Sequence, residues 1–317
     1  MRVSSDLNQV AGATARQGVR DRSRSRTPVR LLPSFEMRMM APALLVLAAL
    51  SLLPFLTLVY MSFTEVKLLG GLRFEPVGLD NWQRLFTDPD VRASWVVSLV
   101  YLVLTLGLEM LGGILIALVL YRVTRGRGLL FALVLLPMFL APIIVGLLGR
   151  FLTDYTIGLY AWVLRGLGFE NDVLADGTTA MIAVVAMDAW QWTPLVALIT
   201  LAGLSAVPQP LLEAAAVDGA GYRQTLFSVV FPTIKGVLLV ALLVRAMDAV
   251  RFFDIITITT NGGPADATKI IPIRLYETAF RFREIGYASV IGLVMLLFSI
   301  ILANVFVGVL GRKGLTK

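Results

Sequence analysis

Ionisable side chains inside a bilayer are costly, and they usually face a protein interior or a cavity. This 317-residue chain carries such groups in three of its apolar runs. Glu109 lies in the middle of the second run. Asp188-Ala189-Trp190-Gln191-Trp192-Thr193-Pro194 interrupts the fourth, and Arg245, Asp248, Arg251 and Asp254 lie in the fifth. There is no histidine, which removes the commonest general base and metal ligand. There is no cysteine either, which excludes disulfides, thiolate metal sites and a thiolate nucleophile. Hydrogen bonding and ring packing remain. Pro194 removes a helix hydrogen bond and can kink the fourth run. Gln191 and the indole of Trp192 beside it suit a sugar, whose hydroxyls take polar partners and whose C–H face packs on rings. Paired tryptophans also fit an interfacial belt, but these are many residues from either end of the run. Asp248, Arg251 and Phe252 share one helical face by three- and four-residue spacing. Asp248 and Arg251 equally fit an intrahelical ion pair that lowers the cost of insertion. Glu109 either pairs with another helix for structure or takes part in function.

The elements that hold these residues follow from composition. The chain is 57% hydrophobic with a mean hydropathy of +0.82, which is the composition of a polytopic membrane protein. Six runs are long enough to cross a bilayer: residues 39–63, 93–121, 128–150, 179–204, 233–256 and 286–311. They are read as helices, because an open segment in lipid must satisfy its own backbone polar groups. The fold class is therefore all-α, with six transmembrane helices over 39–317. Residues 1–38 carry eight Arg and three acids among Ser, Gly and Pro, and read as a disordered cytoplasmic tail. Binding of that tail to anionic lipid is the sharper alternative. The basic region is too long for a secretory signal, and the first run is long enough to stay as a span. The net charge of +7 sits in this tail and in short loops, so it points to cytoplasmic flanks rather than to nucleic acid. Residues 122–127 hold three Arg and no acid, and Arg312, Lys313 and Lys317 close the chain. Both termini are thus expected inside. The loops 64–92, 151–177 and 257–285 mix both signs and are expected outside.

With both termini inside, the loop between the fourth and fifth runs is inside as well, yet it is not composed like a solvated loop. Pro208 and Pro210 can open a helix. Glu213 is expected near its positive end, followed by the helix-forming Ala214, Ala215 and Ala216. Asp218-Gly219 and Gly221 are expected to stop it and to allow positive φ. Tyr222, Leu226 and Val230 then mark one face of a second short helix. Two short helices with apolar faces need a docking partner or rest on lipid headgroups.

Glu213, Ala214, Ala215, Gly219, Val229 and Pro232 resemble the EAA loop of binding-protein-dependent ABC importer permeases, of the carbohydrate (maltose-importer-like) type. Phe231 departs mildly, standing where that family usually has Leu. Gly78-Leu79-Asp80-Asn81-Trp82 and Thr260-Asn261-Gly262-Gly263-Pro264 resemble further features of such permeases. The resemblance runs from about residue 39 to the C-terminus. It implies that loop 207–232 couples the chain to an ATPase, through Glu213, Ala214, Ala215, Asp218, Gly219 and Pro232. It implies a sugar or polyol pocket at Gln191, Trp192, Leu195, Asp248, Ala249 and Phe252, with Arg251 on the same face. The identities at Asp248, Ala249 and Phe252 differ from those of the maltose type, so the place of the pocket transfers and its substrate does not. An Asp-rich pocket argues weakly against an anionic ligand. The implied partners are a second homologous permease, two ATPase subunits, an extracellular or periplasmic solute-binding protein and the bilayer of a bacterial inner membrane. No phosphate-binding loop of the GxxxxGK[ST] kind occurs in the chain. No cofactor is expected in this chain; ATP and Mg belong to the ATPase partners.

Two other classes stay in view. An ion-gradient-driven secondary transporter fits the buried charges and the kinked helix, but leaves the docking loop unexplained. An intramembrane enzyme has only Asp188, Asp248 and Glu109 to work with, and no motif joins them. For orientation, a reporter fused after Arg125 is expected in the cytoplasm and one fused after Asp266 outside. Exchange of the two signals overturns the six-span arrangement.

Overall fold

The computed structural model describes residues 35–67, 71 and 73–314. The basic tail expected over 1–38 falls almost wholly outside these residues, as does Lys317. Two units are distinguished, residues 1–53 and 54–317. The described part of the first belongs to helix α1 (Phe35–Ser62). The rest of the architecture lies in the second.

After α1 come a short antiparallel hairpin, β1 (Thr64–Lys67) with β2 (Arg73–Pro76), and α2 (Asp80–Thr87). The hairpin is the one departure from an all-helical chain among the described residues. It lies in the loop 64–92 that joins the first two runs. Asn81 Nδ2 donates to the carbonyls of Ser62 and Thr64, both at 3.2 Å, and ties α2 to the strand. Helix α3 (Pro89–Arg122) follows, opened by Asp88, whose side chain accepts from the backbone N–H groups of Asp90 and Val91. That pattern satisfies donors that a helix start leaves unpaired. At 34 residues it is about 51 Å long, more than the roughly 30 Å of a hydrocarbon core.

The third expected span is not one helix. α4 (Arg127–Leu135) runs into a 3₁₀ turn at Leu136–Phe139, and α5 (Pro142–Thr153) leaves at 92° to it. The cause is local. Pro137 cannot continue an α-helix, and Pro142 forces the residue before it to extended backbone. Ala141 accordingly has ψ of 137°, and Leu140 before it is extended too, with ψ of 140°. After α6 (Leu159–Gly166), α7 (Gly177–Ser205) runs unbroken through Pro194. α8 (Gln209–Val217) and α9 (Tyr222–Thr225) form the loop beyond it. α9 passes through a π turn at Leu226–Val230 into α10 (Phe231–Ala249), so the expected second short helix is the start of the fifth span. That span ends at Ala249 instead of 256, because Phe252 leaves the helix to bury against Tyr101, with ring centroids 5.5 Å apart. α11 (Asp254–Thr259), α12 (Ile271–Tyr276), a π turn at Glu277–Arg281 and α13 (Ile285–Gly314) complete the described chain. Among the described residues, five helices are long and apolar enough to cross a membrane, and the bent α4–α5 pair supplies a sixth crossing if taken as one span.

α3 and α7 form the central pair. The buried positions of α3 include Tyr101, Thr105, Glu109, Gly113, Ala117 and Leu120, mostly four apart and therefore on one stripe. Small residues let backbones approach closely within a membrane. At Gly113 a Cβ would lie 2.6 Å from the Val196 side chain and 2.9 Å from the Ala197 nitrogen. Apolar clusters occupy both ends of this pair. One gathers Tyr101, Val145, Met181, Val184, Phe252 and Ile255. The other gathers Ala117, Leu120, Leu201, Leu204, Val207 and Ile234.

The loop before α12 is fastened to the start of α3. Arg274 reaches Asp266 at 2.8 Å and Asp90 at 3.4 Å, and Lys269 reaches Asp266 at 2.6 Å. Partial burial would raise the Asp266 carboxyl, but Lys269 and Arg274 outweigh it and hold that group below the usual carboxylate range. The stabilisation is present at neutral pH and is lost as pH falls through the lowered value.

The close approach of α3 and α7 predicts that Gly113→Leu destabilises the protein by about 1–3 kcal/mol through overpacking. Gly107, where an added Cβ meets nothing within 4 Å, serves as the control. The thermal unfolding midpoint should fall for Gly113→Leu and stay near wild type for Gly107→Leu.

Candidate functional site

Between the two apolar clusters lies a charged one. Arg245 of α10 is buried to 1% exposure and meets carboxylates on three helices. Its Nε donates to Glu109 Oε2 at 2.7 Å and its NH2 to Glu109 Oε1 at 2.6 Å, a two-point grip on α3. The same NH2 lies 3.2 Å from Asp188 Oδ2 on α7. NH1 donates to Asp248 Oδ2 at 2.6 Å, one turn along α10 itself. Tyr101 donates its hydroxyl to Asp188 Oδ2 at 2.7 Å. The Trp192 ring lies on the guanidinium, 5.0 Å from Cζ to centroid, a cation–π distance. Glu109 therefore has the cross-helix partner expected of a structural group. The expected ion pair of Asp248 with Arg251 is present but long, at 3.8 Å. The short bond of Asp248 goes to Arg245.

The other residues singled out in sequence separate into two sets. Trp192, Leu195 and Asp248 are half-buried, and Arg251 is exposed just past the end of α10. Gln191, Ala249 and Phe252 are buried. Phe252 is not on the helical face of Asp248, because α10 has already ended. Gln191 turns to the break in the third span. Its Nε2 donates to the Leu140 carbonyl at 2.7 Å, an acceptor that the break leaves outside both helices. The Gln191 Oε1 and Trp192 Nε1 atoms are buried with no hydrogen-bond partner among the described residues. Sequence reasoning assigned no role to Arg245 and did not notice Tyr101. The signal for Arg245 was its three-residue spacing from Asp248 in the middle of an apolar run.

At the far end of α3, the Arg122 guanidinium lies 3.9 Å from the centroid of the Tyr222 ring and joins that helix end to α9. Glu213 is the fifth residue of α8 rather than a first-turn residue, so the helix-dipole expectation for it is not met. The helix starts at Gln209, with Pro208 as its cap and Pro210 as its second residue, which leaves Glu213 beyond the first turn. Gly219 has φ +74°, as its place after the helix requires, whereas Gly221 has φ −68° and is an extended cap of α9. α8 is seated by Leu212 and Ala215, and Leu212 packs against the cluster of Leu204, Val207 and Ile234. Glu213, Ala214, Ala216, Val217 and Asp218 are exposed, Val217 to 87%.

Residues 109–313 match the family of inner membrane components of binding-protein-dependent transport systems, which is well over half of the chain. The chain belongs to this family. It is similar to the trehalose/maltose transport system permease protein MalF of Thermococcus litoralis, 35% identical over 78% of this chain and 83% of that one. It is 30% identical to the sulfoquinovosyl glycerol transport system permease protein SmoG of Agrobacterium fabrum, over 87% of this chain and 90% of that one. It is 33% identical to the sn-glycerol-3-phosphate transport system permease protein UgpA of Brucella abortus, over 85% and 91%. The fold is that of a bacterial ABC transporter for the acidic polysaccharide alginate, with TM-score 0.76, 20% identity, and coverage of 88% of this chain and 95% of that one. The chain is thus a multi-pass inner-membrane protein, the permease component of an ABC importer rather than an ion-driven secondary transporter.

The bond from Gln191 to the broken span yields a stability prediction. Gln191→Leu leaves the part-buried Leu140 carbonyl without its donor and should cost about 1–3 kcal/mol. A lowered thermal midpoint is expected, and an unchanged one would mean that the carbonyl finds another donor.

Proposed function

We propose that this chain is one transmembrane subunit of an importer for a sugar or polyol, working by alternating access. An extracellular solute-binding protein delivers the ligand, and a second homologous permease completes the pathway. Two ATPase subunits bind ATP and Mg and hydrolyse the nucleotide, so that this chain is not itself an enzyme. Both termini and the loop 207–232 face the cytoplasm. The observation that carries this reading is the two-sided α8: one face is seated in the protein by Leu212 and Ala215, and the other leaves Ala214 and Val217 uncovered beside Glu213. Exposed apolar side chains on a fixed element suit a partner surface. Gly219 lets the chain turn between α8 and α9 and Pro232 opens α10, so Glu213, Ala214, Ala215, Asp218, Gly219 and Pro232 are the proposed coupling residues.

The names of the relatives support a carbohydrate-type ligand. In the proposed pocket, Trp192, Leu195, Asp248 and Arg251 are the residues with accessible side chains, and Gln191, Ala249 and Phe252 support them from behind. The weak argument against an anionic ligand loses force. Arg245 compensates part of the carboxylate charge, and the accessible charges reduce to Asp248 and Arg251.

The complex reconstituted in vesicles should take up sugar with ATP in the absence of any ion gradient. Gly219→Val places a β-branched residue at positive φ and should lower both uptake and the ATPase activity stimulated by loaded binding protein. Ligand binding by the binding protein should be unaffected. Normal stimulation in Gly219→Val counts against the coupling role of the loop. Uptake that needs an ion gradient counts against the mechanism.

A further inference from the structure

The charged cluster holds more acid than its guanidinium needs. Arg245 already has a two-point bond to Glu109 and a contact to Asp188, both fully buried. A pairing that served insertion alone would stop there, because each extra carboxylate in a membrane interior is costly. Asp248 is the surplus group. It also differs in placement, with its side chain 42% exposed while those of Glu109 and Asp188 are at 0%.

The geometry fixes how Asp248 is presented. The bidentate bond to Glu109 sets the plane of the guanidinium. Tyr101 holds Asp188 through its hydroxyl, and the Trp192 ring lies on the guanidinium. NH1 is left pointing at Asp248, and it takes Oδ2 at 2.6 Å. The remaining oxygen, Oδ1, has Arg251 at 3.8 Å and no closer cation. We propose that Arg245 is a positioning residue that fixes the Asp248 carboxylate so that its Oδ1 accepts a hydroxyl of the transported ligand. This rests on the sugar or polyol pocket proposed above. Lysine keeps the charge of Arg245 but has no planar fork with which to hold two carboxylates in fixed directions.

The test uses the full complex in vesicles, with radiolabelled maltose, trehalose and sorbitol as probes at saturating binding protein. Uptake is divided by the amount of assembled complex. The readout is the ratio of rates among the three probes, which a loss of assembly alone does not move. Asp248→Asn and Arg245→Lys should each shift that ratio by about fivefold or more. The double variant should match Asp248→Asn alone, because the second change acts through the first. If Arg245→Lys does not assemble, Glu109→Gln loosens the same guanidinium and should shift the ratio in the same direction. A shift with Asp248→Asn but none with Arg245→Lys overturns the positioning role and leaves the pocket standing. Independent, additive shifts also overturn it. No shift with Asp248→Asn, or wild-type uptake of none of the three probes, removes the pocket reading and the proposal with it. Failure of both Arg245→Lys and Glu109→Gln to assemble makes the cluster structural only.

Discussion

A guanidinium stays charged in any environment a protein offers, so a chain that buries one must build around it. Arg245 is such a group, and its partners define the centre of this molecule. Glu109 comes from α3, Asp188 from α7 and Asp248 from α10. Removing one partner of a buried ion pair typically costs about 3–5 kcal/mol, because the other charge is left uncompensated. The three helices are therefore not free to slide past one another while this contact is made. Apolar clusters pack at either end of the α3–α7 pair, with the charged group between them.

The same demand for polar satisfaction shapes the broken third span. A bend of 92° in a membrane helix frees backbone groups that lipid cannot solvate. Gln191 supplies one of the missing donors from α7. A residue whose type suits sugar binding is thus engaged on one side by the fold, which leaves Trp192, Leu195, Asp248 and Arg251 as the accessible members of the proposed pocket. At the opposite end of α3, the seating of α8 by Leu212 and Ala215 leaves its other face exposed. Helix α3 spans both regions, with Glu109 in the charged group and Arg122 on Tyr222.

Much of this was legible in the amino-acid sequence. The apolar runs located every crossing to within a few residues at most ends, because bilayer thickness sets a minimum length that composition reveals. The residues Glu213 to Pro232 marked the family, and Gly219 stands at the positive φ that its position implied. The two prolines at 137 and 142 announced the break in the third span to any reading that weighed them above hydropathy. Intramembrane Glu109 stood open between pairing with another helix and a functional role, since an isolated carboxylate there is costly, and the structure gives it the cross-helix partner Arg245.

The tertiary structure decided the rest. Spacing alone put Asp248 with Arg251 and Phe252 on one helix face, and it could not tell that α10 stops at Ala249. The helix ends there because Phe252 buries against Tyr101 of another helix, a contact separated by about 150 positions in sequence. Nor could spacing choose among the acids for Arg245, whose partners come from residues 109 and 188 as well as 248. Sequence periodicity reports which residues share a face of their own helix. Which faces meet depends on side-chain packing between helices, and the packing at Gly113 brought Glu109 and Asp188 to the same guanidinium.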